Sequence, residues 1–375
     1  SAEPYVSQTN LDLSAMTRFI SSRERNAVSA LYQVEESPDP EVLAARAGSM
    51  FVDPLDVDLA TQFVKNPVRL WYAGLGSHFN QNQVGDEYGF HNQDNGFQLG
   101  LVKERGDGYF GLTGAYNRAN ARWTELQAHN KTDTYMGELL FGVRRDWGFM
   151  EVHGNLGYAD HEMTRSLQLG APLNGSAYDV DLDCDPFDNY YNGVYDVTQI
   201  GDYATDIKGG GFRLGYQKVL LDKWLFLPTL GLTYMEVANR EAFTEKGPDN
   251  AAFRLLFEKD GIKRQTLQVP LFFRLSRGIA FNNGGPFILT PEFRFGATAN
   301  LLDRSSMSEF KFIGNPIPNR YMKAWGIRED RVAYQAGASL ELSRRGRMYL
   351  ALNYDLFLQN KSVNHAYSAQ FGVNF

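Results

Sequence analysis

The sequence predicts an all-β fold, a twelve-stranded antiparallel transmembrane β-barrel preceded by an N-terminal helical segment. From Pro67 onward, apolar and polar residues alternate with a period of two, which is the period of a β-strand with two different faces. The connections between the alternating segments are short and long in turn. The longest mostly apolar stretch, "WLFLPTLGL" from Trp224, is too short for a membrane helix and contains Pro228.

Residues 1–66 have a different period and are expected to form a unit of their own. Leu13, Met16, Phe19 and Ile20 recur at helical spacing, and the pattern continues to residue 32. Two shorter helical patterns follow before residue 67. We expect this segment to be a linker or plug for residues 67–375, and a helical cap without a role of its own is the alternative.

Twelve alternating segments make up the second unit, residues 67–375. They start near residues 67, 95, 108, 131, 148, 208, 224, 261, 286, 331, 347 and 363. Tight connections are expected at 105–108, 145–148, 221–224 and 344–347, and long ones at 80–94, 166–207, 240–260 and 303–330. An even strand count, an aliphatic face and connections sorted by length favour an outer-membrane barrel. A soluble β-sandwich also alternates, but its connections need not sort by side.

The composition excludes some classes of function and partner. A net charge of −7 argues against nucleic-acid binding. With 14% aromatic residues and 36 glycines, the chain favours strands joined by tight turns. Cys184 is the one cysteine, so no internal disulfide is expected. Ser1 carries no charged or apolar leader, so a signal peptide of an exported protein would have been removed or would lie outside this sequence.

One face of the alternating segments is expected to line a hydrated lumen with charges of both signs. Leu350, Leu352 and Tyr354 should face lipid, whereas Asn353 and Asp355 should face the lumen. Ion pairs that stiffen the barrel and hold the helix between residues 11 and 32 are the expected role of the charged side chains. These candidates are Arg69, Glu104, Glu138, Arg144, Glu151, Arg213, Arg274, Glu292, Arg294 and Glu341.

Enzymatic alternatives are weighed at two places and are not favoured. Ser77, His78 and Asn80 are close in sequence, as a barrel phospholipase would need, but neighbours on a strand point to opposite faces. The same objection applies to Asp160 and His161, the candidate pair of an outer-membrane protease. We therefore expect no enzyme and no catalytic residue.

An acidic stretch at 166–207 contains eight Asp and no Lys or Arg. Its alternate aspartates resemble the start of a calcium loop, but Cys184 occupies the position of the turn glycine. A solvated acidic loop is the preferred interpretation, and surface binding of cations or partners is the alternative. No metal site and no cofactor are expected.

Several stretches of the chain resemble the β-domain of autotransporters, the type V secretion proteins. "LALNYDLFLQNKSVNHAYSAQFGVNF" resembles the closing strand pair, including a histidine, here His365, before the last strand. "FLPTLGLTYMEVANREAFTE" and "ILTPEFRFGAT" resemble a central and a later strand. Upstream, "ERNAVSALYQVEESPDPEVLAARAGSMFVDPLDVDLATQFV" is similar to the helical linker before such barrels.

The resemblance implies a location in the cell outer membrane, a helix threading the pore and an N-terminal passenger exported by or with the barrel. Phe371, Val373 and Phe375 end the chain in an alternating strand that resembles the signal for the barrel assembly machinery. Outer-membrane lipid, that machinery and a passenger or partner protein at the surface are the expected partners. Because only residues 1–66 precede the first strand, we expect the passenger to have been removed or never present. The alternative function is a passenger-less structural or interaction barrel in an outer-membrane assembly.

Overall fold

The computed structural model describes most of residues 68–374. Outside the described residues lie the expected helical segment, the middle of the acidic stretch and Phe375. The described ranges are 68–81, 90–123, 128–145, 147–169, 195–220, 224–247, 254–280, 287–302, 307–313, 322–325, 331–344, 348–359 and 362–374.

The described residues form β-strands, tight turns and short irregular links, with no helix among them. The strands are β1 (Val68–Gln81), β2 (Phe90–Arg105), β3 (Gly108–Trp123), β4 (Ala128–Arg145), β5 (Gly148–Leu169), β6 (Tyr195–Tyr216), β7 (Lys218–Leu220), β8 (Trp224–Asn239), β9 (Phe243–Thr244), β10 (Arg254–Ser276), β11 (Ile279–Ala280), β12 (Phe287–Asn300), β13 (Met307–Ile313), β14 (Met322–Trp325), β15 (Val332–Arg344), β16 (Met348–Leu358) and β17 (Ser362–Asn374).

Twelve of these strands close into an antiparallel barrel, which confirms the predicted strand number and barrel fold. The order around the barrel is β1, β2, β3, β4, β5, β6, β8, β10, β12, β15, β16 and β17. The barrel closes because β17 pairs with β1 from Arg69 opposite Asn374 to Gln81 opposite Ser362. The five remaining strands are short and extend neighbouring strands or hairpins. A membrane favours such closure because an open sheet edge would leave backbone groups without partners in lipid.

Tight turns join the strands at one end of the barrel. Between β2 and β3, Gly106 has a φ of 58°, in the left-handed region that glycine occupies without strain. Trp147 lies in the turn between β4 and β5 and is exposed, at the level where aromatic residues contact a membrane interface.

At the other end, several strands are longer than the sequence pattern predicted. β2 begins at Phe90 rather than near residue 95, β6 at Tyr195 rather than near 208, and β10 at Arg254 rather than near 261. The expected long connection 303–330 contains the hairpin of β13 and β14. Outside a bilayer the outward face of a strand no longer needs to be apolar, so the alternation fades although the backbone pairing continues.

The outward face carries an apolar band of the width of a bilayer. On β4, outward-facing residues from Tyr135 to Val143 are apolar or glycine, close to the roughly 9–11 residues that a tilted strand needs. Tyr135 packs between Tyr116 and Tyr158 at centroid distances of 5.1 and 5.0 Å. These tyrosines, with Phe97, Tyr234, Tyr354 and Tyr367, mark the outer edge of the band and are called the aromatic belt.

Above the belt, the outward face of β3 to β10 carries ion pairs. Arg118 lies 2.7 Å from Asp133, and Arg240 hydrogen-bonds Asp206. Lys208 lies 2.7 Å from Glu236. The hydrogen bond from Lys208, followed by those from two other side chains, lowers the pKa of Glu236 to about 2. Because this pKa is depressed, the Glu236 pair stabilises the barrel above about pH 4.3, and its contribution is lost as the pH falls toward the folded value.

Candidate functional site

The inward face of the barrel contains most of the charged side chains that the sequence singled out. Arg69 lies on the inward face beside Trp71 and is half-buried. Glu104 lies in β2, but its side chain is outside the described ones. The others are all buried: Glu138, Arg144, Glu151, Arg213, Arg274, Glu292, Arg294 and Glu341.

A first charged cluster crosses four strands, from β3 to β6. Tyr109, Gly142, Glu151 and Arg213 are consecutive partners in register. A Cβ at Gly142 would overlap the Tyr109 ring, so glycine lets this ring lie across β4. The Tyr109 hydroxyl then donates a hydrogen bond of 2.9 Å to Glu151, which also forms an ion pair with Arg213.

A second charged cluster crosses β12, β15 and β16, and here too a glycine on the middle strand lets side chains meet across it. Arg294, Gly337 and Asp355 are consecutive partners in register, and a Cβ at Gly337 would overlap the Asp355 carboxylate. Across this glycine, Arg294 reaches Asp355 at 3.1 Å. Gln335 donates a second hydrogen bond to Asp355 at 3.0 Å, and Glu292 lies 3.6 Å from Arg294.

The two clusters lie on nearly opposite walls of the lumen. Only β8 and β10 separate them on one side, and β17, β1 and β2 separate them on the other. Arg274, on β10, is the direct cross-strand partner of Arg294 and extends the second cluster. A polypeptide in the lumen would therefore meet both signs of charge on two facing walls.

Above the membrane-spanning part, the inward face becomes aromatic. His161, Tyr203, Phe243 and Phe257 form a continuous stack with centroid distances of 4.4, 4.4 and 4.7 Å. His161 is hydrogen-bonded to two threonine hydroxyls, and its burial lowers its pKa to about 3. This histidine is therefore neutral at physiological pH.

The residues weighed as enzymatic candidates do not converge. Ser77 is buried inside the barrel and donates a hydrogen bond of 2.7 Å to Asp94, whereas His78 is exposed on the outer surface. Asp160 is exposed and His161 is buried on the opposite face. Among the residues that the structure describes, no group of His, Cys, Asp and Glu has the geometry of a metal site.

Sequence reasoning missed several polar members of the lumen. Tyr109 and Gln335 complete the two clusters, and Ser77 with Asp94 forms a further buried pair. These residues occupy inward-facing positions of the two-residue alternation, which was the available signal. A neutral polar side chain at such a position is less conspicuous in a sequence than a charged one.

The described part of the chain contains no helix long and apolar enough to cross a membrane.

The comparisons with known proteins agree with this architecture. A model of the autotransporter β-domain family matches residues 70–355, most of the chain. The translocator domain of the autotransporter NalP from Neisseria meningitidis is 13% identical, with a TM-score of 0.59 over 99% of this chain and 100% of that one. The β-domain of BrkA from Bordetella is 13% identical, with a TM-score of 0.52 over 82% of this chain and 98% of that one.

A third solved structure, the transport unit of AIDA-I from Escherichia coli, is 14% identical, with a TM-score of 0.50 over 88% of this chain and 95% of that one. At these identities the three structures support the fold. No curated protein sequence matches the chain significantly. The family match together with the closed barrel leads to one conclusion: the chain belongs to the autotransporter β-domain family and is a translocator barrel of the outer membrane.

Proposed function

We propose that this translocator barrel carries an N-terminal passenger and holds residues 11–32 in its lumen as a helical plug. Those residues lie outside the described ones, so the proposal rests on the lumen wall and on the sequence. The observation that carries it is the pair of charged clusters on facing walls. Arg23, Glu24 and Arg25, in the middle of the expected helix, offer charges of both signs to such walls. Each pair contributes little alone, so several must act together.

The function that we propose includes no catalytic step and no cofactor. Two of the lumen carboxylates, Glu151 and Asp355, are engaged with cations and hydrogen-bond donors. Glu151 accepts from Tyr109 and pairs with Arg213, and Asp355 accepts from Arg294 and Gln335. These bonds support a structural role for the lumen charges.

Insertion by the barrel assembly machinery and contact with outer-membrane lipid belong to the same proposal. Phe371 on β17 is exposed on the outer face, and Val373 follows on the same face. Phe375 lies outside the described residues. An aromatic alternating strand at the closing seam supports recognition during assembly because that strand provides the last backbone pairing of the barrel.

Removing residues 1–32 should open the barrel. In planar bilayers we expect the full chain to conduct little and the deletion variant to form a larger, steadier channel, because the plug no longer fills the lumen. Equal conductance of the two proteins would show that the helix is not the plug. Replacing residues 170–194 with a short glycine-rich turn serves as the control, since the flanking Leu169 and Tyr195 are cross-strand partners and the pairing of β5 with β6 should be kept.

A reporter domain fused before Ser1 should reach the cell surface. On intact cells expressing the fusion, we expect an external antibody to bind the reporter and an external protease to remove it. A fusion that lacks β15 to β17 is the control, because its barrel cannot close and no reporter should be exposed. A reporter found only in the periplasm, beside a folded barrel, would contradict passenger export while leaving the plug prediction open to its own test.

A further inference from the structure

Above the aromatic belt, the described carboxylates that face outward all lie on one half of the barrel. On β4 to β10, Asp133, Glu162, Asp206 and Glu236 face outward above the aromatic belt and pair with cations. On β12, β15, β16, β17, β1, β2 and β3, none of the described side chains that face outward is an Asp or a Glu. The acidic residues of those strands whose side chains are described, such as Glu292 and Asp355, are buried on the inward face.

Three histidines lie at the closing seam, in the middle of the strands whose described outward side chains include no Asp or Glu. His78 on β1 and His365 on β17 are direct cross-strand partners and share the outward face. His91 lies on β2, opposite Asn80, and its Nδ1 is hydrogen-bonded to the Asn80 side chain. We call His78, His91 and His365 the seam histidines.

The seam histidines begin immediately above the aromatic belt. His365 is two residues beyond Tyr367, or about 7 Å along the strand. The Tyr354 hydroxyl, from the belt residue of β16, is 2.8 Å from Nδ1 of His365. Aromatic belts lie at the headgroup level of a membrane, so imidazoles at this position are within reach of lipid phosphates.

The surroundings of the seam histidines offer cations and neutral groups. Arg122 on β3 is the cross-strand partner of His91, and Arg118 on the same strand is committed to Asp133 at 2.7 Å. Tyr354 and Tyr367 are the titratable groups of β16 and β17 beside His365. Asp94, the carboxylate of β2 whose side chain is described, points inward and accepts a hydrogen bond from Ser77.

We propose that the seam histidines bind the phosphate of an anionic membrane lipid when they are protonated. Histidine is the side chain that changes charge between about pH 5 and 8. Two imidazolium groups directly opposite each other repel. On β1, β2 and β17, which carry the seam histidines, none of the described outward side chains is a carboxylate that could relieve this repulsion. A phosphate between the two imidazolium groups accepts charge-assisted hydrogen bonds from both. Lipid therefore replaces, on this half of the barrel, the carboxylates that neutralise cations on the other half.

The test is a lipid titration of the purified full chain by native mass spectrometry. Phosphatidylglycerol and phosphatidylcholine with matched acyl chains are compared at about pH 5.5 and about pH 7.5. We expect the preference for phosphatidylglycerol to increase at the lower pH by about fivefold for each histidine that gains a charge. His78→Gln, His365→Gln and the double variant should lose this increase stepwise, since Gln keeps the size and polarity but cannot be protonated.

His129→Gln is the matched control, because His129 also faces outward above the belt but lies on β4, where carboxylates are present. It should retain the increase. A preference that does not change with pH in the wild-type chain, or the full wild-type increase in the folded double variant, would overturn the proposal. A barrel that loses heat resistance at the lower pH without gaining phosphatidylglycerol would show seam repulsion alone and would also overturn it.

Discussion

Replacing Leu352 with Arg is expected to destabilise the barrel by about 2–4 kcal/mol, the cost of a cation on the lipid face near the bilayer midplane. Leu352 lies in the middle of β16, faces outward and is 54% exposed. Its cross-strand partners, Leu340 and Ala369, face lipid as well. The neighbouring Asn353 faces inward and donates a hydrogen bond of 2.9 Å to Ser368. Urea unfolding in lipid vesicles, followed by tryptophan fluorescence, measures the cost.

The same substitution at Leu358 is the control for depth. Leu358 lies on the same strand and the same outward face, but beyond the belt residue Tyr354. An Arg there should cost only about 0–1 kcal/mol, since cations near the interface reach water and headgroups. Equal costs at the two positions would mean that the band on β16 does not span the bilayer as the alternation indicates.

Replacing Arg213 with Met is expected to cost about 3–5 kcal/mol, because it leaves the buried Glu151 carboxylate without its cation. Both partners are almost fully buried, with side-chain exposures of 6% and 2%. Glu138 lies on the same wall and interacts electrostatically with both of them, so the loss of Arg213 leaves two carboxylates together. Unfolding in the same vesicles measures the loss.

Two further variants separate the ion pair from other effects. The double variant Glu151→Met and Arg213→Met should recover most of the stability, since a well-packed apolar pair often replaces a buried ion pair without loss. Arg118→Met removes an exposed partner of Asp133 and should cost no more than about 1 kcal/mol. If Arg213→Met costs as little as Arg118→Met, lumen water screens the first cluster and the pair does not stiffen the wall.

Within the bilayer, the sequence predicted the faces of the strands well because lipid and lumen impose different chemistry on them. The outward Leu350, Leu352 and Tyr354 and the inward Asn353 and Asp355 follow the expected alternation. Above the aromatic belt this contrast ends. On β6, for example, Asp202 and Asp206 face outward into water, while Tyr203 and Ile207 are buried inside. The apolar residues thus change faces, so the pattern of lipid-facing residues predicts a start of β6 that is too late in the chain.

The lumen pairs depend on register, which the alternation does not provide. Glu151 and Arg213 are 62 positions apart and meet because β5 and β6 pair over their full lengths. Arg294 and Asp355 meet because Gly337 lies between them on β15, and a glycine in an alternating segment gives no sign of such a role. The sequence could therefore identify charged members of the lumen but not their partners or the two facing walls.

The length of β5 beyond the belt determines how far the barrel wall extends above the membrane. β5 continues from Tyr158 to Leu169, and β6 accompanies it through the whole extension. At about 3.3 Å per residue and a tilt near 45°, this wall rises about 25 Å above the membrane interface. If a passenger leaves through the lumen, as proposed above, we expect it to pass along this wall on one side and to emerge well above the level of the lipid headgroups.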